Sequence, residues 1–192
     1  MNTITAEDWE NICHHVESEE NKYRCQEGEM DQITDNFIIN TCDKDYYLFH
    51  FLGETVQNLI RDAVEIRKKA YCPYSKFAVG AAILTEKDSK VYTGCNVENA
   101  ALAPSICAER AALPKAVSDG YTNFKMVAVV AHQQNFTAPC GFCRQSLSEF
   151  VSTDGDTDVY LSKPTMDQVL CTKLSRLLPL SFVSFQKDNL TT

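Results

Sequence analysis

The stretch "KMVAVVAHQQNFTAPCGFCRQSLSEFV", residues 125–151, opens with Lys125 and six apolar residues in a row. An uninterrupted apolar run of that length reads as a central strand, buried on both faces. A polar turn follows, and just past Pro139 the chain reads as a helix that opens on Cys140. A strand covered on both faces needs a layer on each side, so this segment points to a layered α/β fold.

The flanking sequence continues the pattern. Upstream, "SICAERAALPKAVSDG" (105–120) reads as a helix, with Ser105 a candidate N-cap, Gly120 a C-terminal stop and Pro114 an irregularity inside it. "FAVGAAIL" (77–84) and "VYTGCNV" (91–97) read as a hairpin around the turn "TEKDSK" (85–90). Val56, Leu59, Ile60, Ala63 and Val64 recur at helical spacing within residues 54–70. Pro73 then pushes Cys72 out of the helical region. Downstream, "DVYLSK" (158–163) and "DQVLCT" (167–172) read as strands and "KLSRLLP" (173–179) as a short helix. The expectation is a three-layer α-β-α sandwich around a mixed five-stranded sheet. Its later strands should run parallel through right-handed crossovers.

A chain of 192 residues is enough for one domain with a sizeable core. The net charge of −8 is uneven: three Lys or Arg against twelve Asp or Glu leave −9 in residues 1–50, and so +1 in the rest. Residues 1–52 therefore read as an acidic N-terminal extension and residues 53–192 as the domain. Within the extension "TAEDWENICHHV" (5–16) reads as a short helix, while "NFIIN" (36–40) and "YYLFHF" (46–51) are apolar runs with no clear period. Cys13, His14, His15 and Cys25 have no partner pair at a metal-binding spacing. The acidic balance argues against a nucleic-acid partner. No apolar run reaches the roughly 20 residues that span a bilayer. Nine cysteines without an export signal fit a reducing, cytoplasmic setting, with thiols free or bound to metal.

Cys140 and Cys143, taken alone, fit a redox pair, a structural zinc knuckle or part of a catalytic metal site. A redox pair belongs after the first strand of a βαβ unit, and this pair comes late. A structural zinc site usually takes two such pairs, and the chain has one. Cys107 is the third candidate, since it too begins a helix. Three thiolates leave the fourth position of a tetrahedral zinc open to water, which marks a catalytic site. Glu109, two residues on, can contact that water without ligating. There is no phosphate-cradling glycine loop and no G-x-S-x-G.

Five stretches then carry a resemblance: "CPYSKFAVGAAIL" (72–84), "GCNVENA" (94–100), "CAERAA" (107–112), "PCGFCRQ" (139–145) and "LLPLSF" (177–182). Over about residues 53–186 the chain resembles the tetrameric, all-cysteine class of cytidine deaminase. The resemblance implies zinc-dependent hydrolysis of cytidine and deoxycytidine to uridine and deoxyuridine, with release of ammonia, in pyrimidine salvage. It implies zinc on Cys107, Cys140 and Cys143. Glu109 would take a proton from the attacking water and deliver protons to N3 and to the leaving ammonia. Arg110, with Arg144 a second candidate, would hydrogen-bond the sulfurs and offset their charge. Substrate contacts carry over to Phe77, which packs on the base, and to the Ala108 N–H, which holds the pyrimidine O2. They also carry over to Asn96, Val97, Glu98, Asn99, Ala100, Ala101 and Leu102. Asn96 and Glu98, on one face of a strand, suit ribose hydroxyls. Phe182 would enter a neighbour's site in a homotetramer. The chain departs from the family at Leu102, where a tyrosine is usual. The alternatives are a deaminase of another aminopyrimidine nucleoside and a non-catalytic zinc-binding protein, which has no reason to keep Glu109.

Overall fold

Side chains alternate across a strand, so a strand apolar on both faces must be covered twice. In the computed structural model, which describes residues 46–133, 135–151 and 155–182, this is what the central strands do. The elements are β1 (Tyr46–Leu48), α1 (Glu54–Arg67), β2 (Val79–Thr85), β3 (Val91–Cys95) and α2 (Ala108–Ser118). They continue with β4 (Phe124–Ala131), α3 (Gly141–Ser148), β5 (Asp158–Ser162), β6 (Gln168–Lys173) and α4 (Leu174–Leu177). Ala82, Leu84, Ala128 and Val130 pack under Val56, Leu59, Ile60 and Ala63 of α1. Ala81, Ile83, Val127 and Val129 pack on the other face, against Ala108, Ala112 and Ala116 of α2, Leu147 of α3 and Leu174 of α4. The result is the expected three-layer α-β-α sandwich.

Among the described residues the sheet has six strands, in the order β1-β6-β5-β4-β2-β3, where five were expected. The added strand is β1, paired antiparallel to β6 with Tyr46 opposite Leu170. Its three residues are too few to show a period, so "YYLFHF" carries no strand signal. The described sheet thus begins upstream of residue 53. The expectation of parallel later strands is corrected in part. β4 and β5 are parallel and joined through α3, but β6 runs antiparallel to β5. The connection between β5 and β6, residues 163–167, is far shorter than the dozen or so residues a parallel crossover needs. The helix expected at residues 5–16 lies outside the described residues. No helix among the described residues is long and apolar enough to cross a membrane.

Two glycines set the distance between layers. A Cβ on Gly80 would collide with the Ala63 carbonyl and with Arg67, so α1 rests on the bare backbone of β2. A Cβ on Gly94 would collide with the Ala108 carbonyl and the Ala112 N–H, so the first turn of α2 rests in the same way on β3. The face of α2 that makes this approach is itself small: Ala108, Ala112 and Ala116, four residues apart and fully buried.

Gly94→Ala is therefore expected to lower the unfolding free energy by about 2 kcal/mol or more, because neither helix backbone nor strand can give way cheaply. Gly53→Ala, whose Cβ meets nothing within 4 Å, should change it by less than about 1 kcal/mol. Urea unfolding of the two variants beside the parent chain checks both. An unshifted Gly94→Ala midpoint would contradict the seating of α2.

Candidate metal centre and active site

The centre is built at the start of two helices. Cys107 caps α2 and Cys140 caps α3, each with extended backbone dihedrals and neither making a side-chain capping bond. The first N–H groups of a helix have no partner within it, and they concentrate positive potential that favours thiolates. α2 starts later than expected. Residue 106 is still paired with Val97, so the cap falls on Cys107, and the Ser105 hydroxyl instead accepts the Asn99 N–H at 3.0 Å. Cys143, one turn into α3, is fully buried.

The sulfurs of Cys107, Cys140 and Cys143 all lie within 4.8 Å of one another. Cys107 Sγ is 3.7 Å from Cys140 Sγ, and Cys140 Sγ is 3.5 Å from Cys143 Sγ. Sulfurs bonded to one tetrahedral zinc at about 2.3 Å sit about 3.8 Å apart, so the donor set and its spacing fit that ion. The charge balance agrees. The Cys107 thiol is lowered to about 5, chiefly by the Cys143 thiol, then by the Cys140 thiol and the Arg110 guanidinium. The same bond to Cys107, with burial and the Glu109 charge, pushes the Cys143 thiol up. Crowding thus lowers the Cys107 thiol and raises the Cys143 thiol, and a divalent cation at this point would stabilise the thiolate form of its ligands.

Glu109 stands in the first turn of α2 and is 3% exposed. Burial raises its carboxyl above the ordinary range and the Cys107 charge adds to this. Its own N–H and the Cys143 thiol oppose them but do not cancel them. Arg110 stacks over the Phe142 ring, 5.6 Å from its centroid, and its Nε is buried with no hydrogen-bond partner among the described residues. Phe142 itself is 77% exposed. An apolar residue between two cysteines gave no sequence signal for this contact. Arg144, the other candidate for offsetting thiolate charge, is placed differently. Its Nε donates to the Pro139 carbonyl at 2.6 Å and its Nη1 to the Leu177 carbonyl at 2.7 Å. It holds the approach to Cys140 through the backbone.

The strip after β3 forms the other half of the site. Val97 pairs antiparallel with Ile106 and parallel with Tyr71, a register that sets Asn96 beside Cys107. Asn96 and Glu98 both reach the loop 74–79, so their side chains share a side as alternation requires. Asn96 Oδ1 accepts the Val79 N–H at 2.7 Å, and its Nδ2 donates to the Phe77 carbonyl at 2.8 Å. Glu98 Oε2 accepts the N–H groups of Tyr74 and Ser75 at 2.9 and 3.2 Å, and Oε1 accepts the Ser75 hydroxyl. The Ser75 bond is the largest cause of a lowered Glu98 carboxyl. Ser75 was passed over in the sequence. Its signal was a hydroxyl two residues before Phe77, whose N–H it accepts in a local turn. Asn99 Oδ1 closes a turn on the Ala101 N–H, and Ala100, Ala101 and Leu102 are exposed there. Phe77 is half-buried, and Ala108, at the start of α2, is fully buried. Phe182 is 79% exposed and tied to α3 by Gln145 Nε2, which donates to its carbonyl at 2.8 Å.

The family model for the cytidine and deoxycytidylate deaminase zinc-binding region matches residues 53–155. The cytidine deaminase of Sporosarcina psychrophila is 47% identical over 127 residues, covering 66% of this chain and 90% of that protein. The cytidine deaminase of Halalkalibacterium halodurans is 44% identical over 128 residues, covering 67% of this chain and 94% of its own length. The crystal structure of cytidine deaminase from Burkholderia pseudomallei aligns with a TM-score of 0.60 at 44% identity, covering 65% of this chain and 97% of that one. The matched region contains all three clustered cysteines, Glu109 and the strip 96–102, and on that basis the chain belongs to the cytidine and deoxycytidylate deaminase zinc-binding family.

Proposed function

We propose that this protein is a zinc-dependent hydrolase that converts cytidine and deoxycytidine, with water, to uridine and deoxyuridine and ammonia. One observation carries the proposal: three sulfurs within 4.8 Å on two helix starts, with a buried carboxyl two residues from one of them. Cys107, Cys140 and Cys143 hold the zinc, which when bound acts as a Lewis acid toward water. Glu109 moves the protons. It accepts one as water adds to C4 and passes it to N3, then takes the proton of the new C4 hydroxyl and gives it to the departing amine as the carbonyl forms. Its raised carboxyl suits both directions of transfer. Arg110 offsets thiolate charge, the Ala108 N–H at the mouth of α2 holds O2, and Phe77 packs on the base. Asn96 and Glu98, already fixed to the loop beneath Phe77, accept and donate to the sugar.

The reading extends to a cytoplasmic enzyme of pyrimidine salvage that works as a homotetramer. Leu102, Phe142 and Phe182, apolar and 83%, 77% and 79% exposed, support such subunit contacts. It also extends to the domain plan. β1 lies at the sheet edge farthest from β3 and runs in the same direction as β4, so the chain before Tyr46 enters at the end away from Cys140. Every site residue named above lies within 53–192, so residues 1–45 are expected to be dispensable for the chemistry.

Turnover of cytidine, deoxycytidine, free cytosine and cytidine monophosphate tests the function. The two nucleosides should be turned over well and the other two poorly, and equal turnover of cytosine and cytidine would contradict the sugar contacts. Cys107→Ala should lose bound zinc, measured by metal analysis. Glu109→Gln should keep zinc and fold while turnover falls at least about 10² to 10⁴-fold. Near-normal turnover by Glu109→Gln would overturn the mechanism. A chain beginning at Tyr46 should keep full zinc and activity. Loss of either would assign residues 1–45 to the working domain.

A further inference from the structure

We infer that Ser75 is a positioning residue for the sugar pocket, holding the Glu98 carboxylate in the one orientation that leaves it a single free acceptor site for a sugar hydroxyl. This rests on the reading above, in which Glu98 meets the sugar. The geometry is a closed clasp. Ser75 donates its hydroxyl to Glu98 Oε1, while the N–H groups of Tyr74 and Ser75 reach Oε2 at 2.9 and 3.2 Å. The Ser75 hydroxyl also accepts the Phe77 N–H at 3.0 Å. Lys76, between them, takes a left-handed turn with φ of 56°. Asn96 grips the following residues, at the Phe77 carbonyl and the Val79 N–H. The loop that presents Phe77 is thus fastened to the side chains of residues 96 and 98.

A carboxylate offers about four acceptor sites, and three of them are filled from residues 74 and 75. A glutamate on a partly exposed strip would otherwise sample several rotamers, and ordering it would weaken binding. With Ser75 in place that ordering precedes substrate binding. The donated hydroxyl also favours the charged form of Glu98, the better acceptor for a sugar O–H. The substrate class this suits is a nucleoside that brings a secondary sugar hydroxyl.

Steady-state kinetics of Ser75→Ala, Ser75→Thr and Glu98→Ala on cytidine and on 2′,3′-dideoxycytidine test the inference, with zinc content and thermal melting as controls. Ser75→Ala should raise KM for cytidine about tenfold with kcat within about threefold, the size expected for one lost charged hydrogen bond. On dideoxycytidine, which brings no secondary hydroxyl to Glu98, the same change should move kcat/KM by less than about threefold. Ser75→Thr, which keeps the hydroxyl, should stay close to the parent chain on both. An equal loss on both substrates, or no loss on either, would overturn the positioning role of Ser75. If Glu98→Ala removes the preference for cytidine over dideoxycytidine while Ser75→Ala leaves it intact, the inference fails and the sugar contact stands. If Glu98→Ala lowers both substrates equally, the sugar contact itself fails and the inference with it.

Discussion

The seating of α2 directly on β3, with no side chain between them at Gly94, is the constraint on which the site depends. A helix packed through ordinary side chains is held off a strand by those side chains. Here the backbone of the first turn touches the sheet, because Gly94 faces a stripe of alanines on the helix. That lowers the mouth of α2 to the level of the strip that continues β3. Val97 and Ile106 can then exchange both backbone hydrogen bonds, at 3.0 and 2.9 Å, one residue before the helix cap. Cys107 and Asn96 become neighbours across this pair. The sulfur cluster and the strip 96–102 are joined by main chain.

The second helix start reaches the same point by a different route. β4 delivers the chain past its buried end to Pro139, and Arg144 reaches back from inside α3 to the Pro139 carbonyl and across to Leu177. The guanidinium closes the turn that α3 leaves behind, so Cys140 is held from both of its sides. Two helix mouths converge here, and neither satisfies its first N–H groups with a capping side chain. Their fields add at the sulfurs. That arrangement would be wasteful around neutral thiols and is well suited to thiolates bound to a cation.

The chemistry was more legible in the sequence than the frame that holds it. Cys107, Cys140, Cys143 and Glu109 could be read from spacing, because a metal site needs particular atoms at fixed separations and helix starts supply them. The central strands were legible because burial on two faces leaves a run without polar residues. β1 was not, since three residues at a sheet edge have no period to display. The direction of β6 was set by the length of the connection before it, a clue that spacing held but that the alternation of elements outweighed. Arg144 was read as a partner for the sulfurs and Asn96 as one for sugar hydroxyls. Their bonds to the Leu177 and Phe77 carbonyls and the Val79 N–H were not legible, because the fold alone brings those main-chain groups to them. Ser75 was hidden for the same reason: its partner is 23 residues away, and only the folded strip brings Glu98 to it.

Charge at the centre follows from these placements. The hydrogen bond with the Cys143 thiol lowers the Cys107 thiol, and burial together with the Cys107 charge raises the Glu109 carboxyl. Arg110 is the group that tempers this field. It is held by stacking on Phe142, a side chain that stands between the two cysteines of α3 and faces outward. Burial raises the Glu109 carboxyl, and the Arg110 charge opposes that rise. A carboxyl raised in this way binds a proton more readily than a surface carboxylate, which is the direction that general acid–base transfer near neutral pH favours.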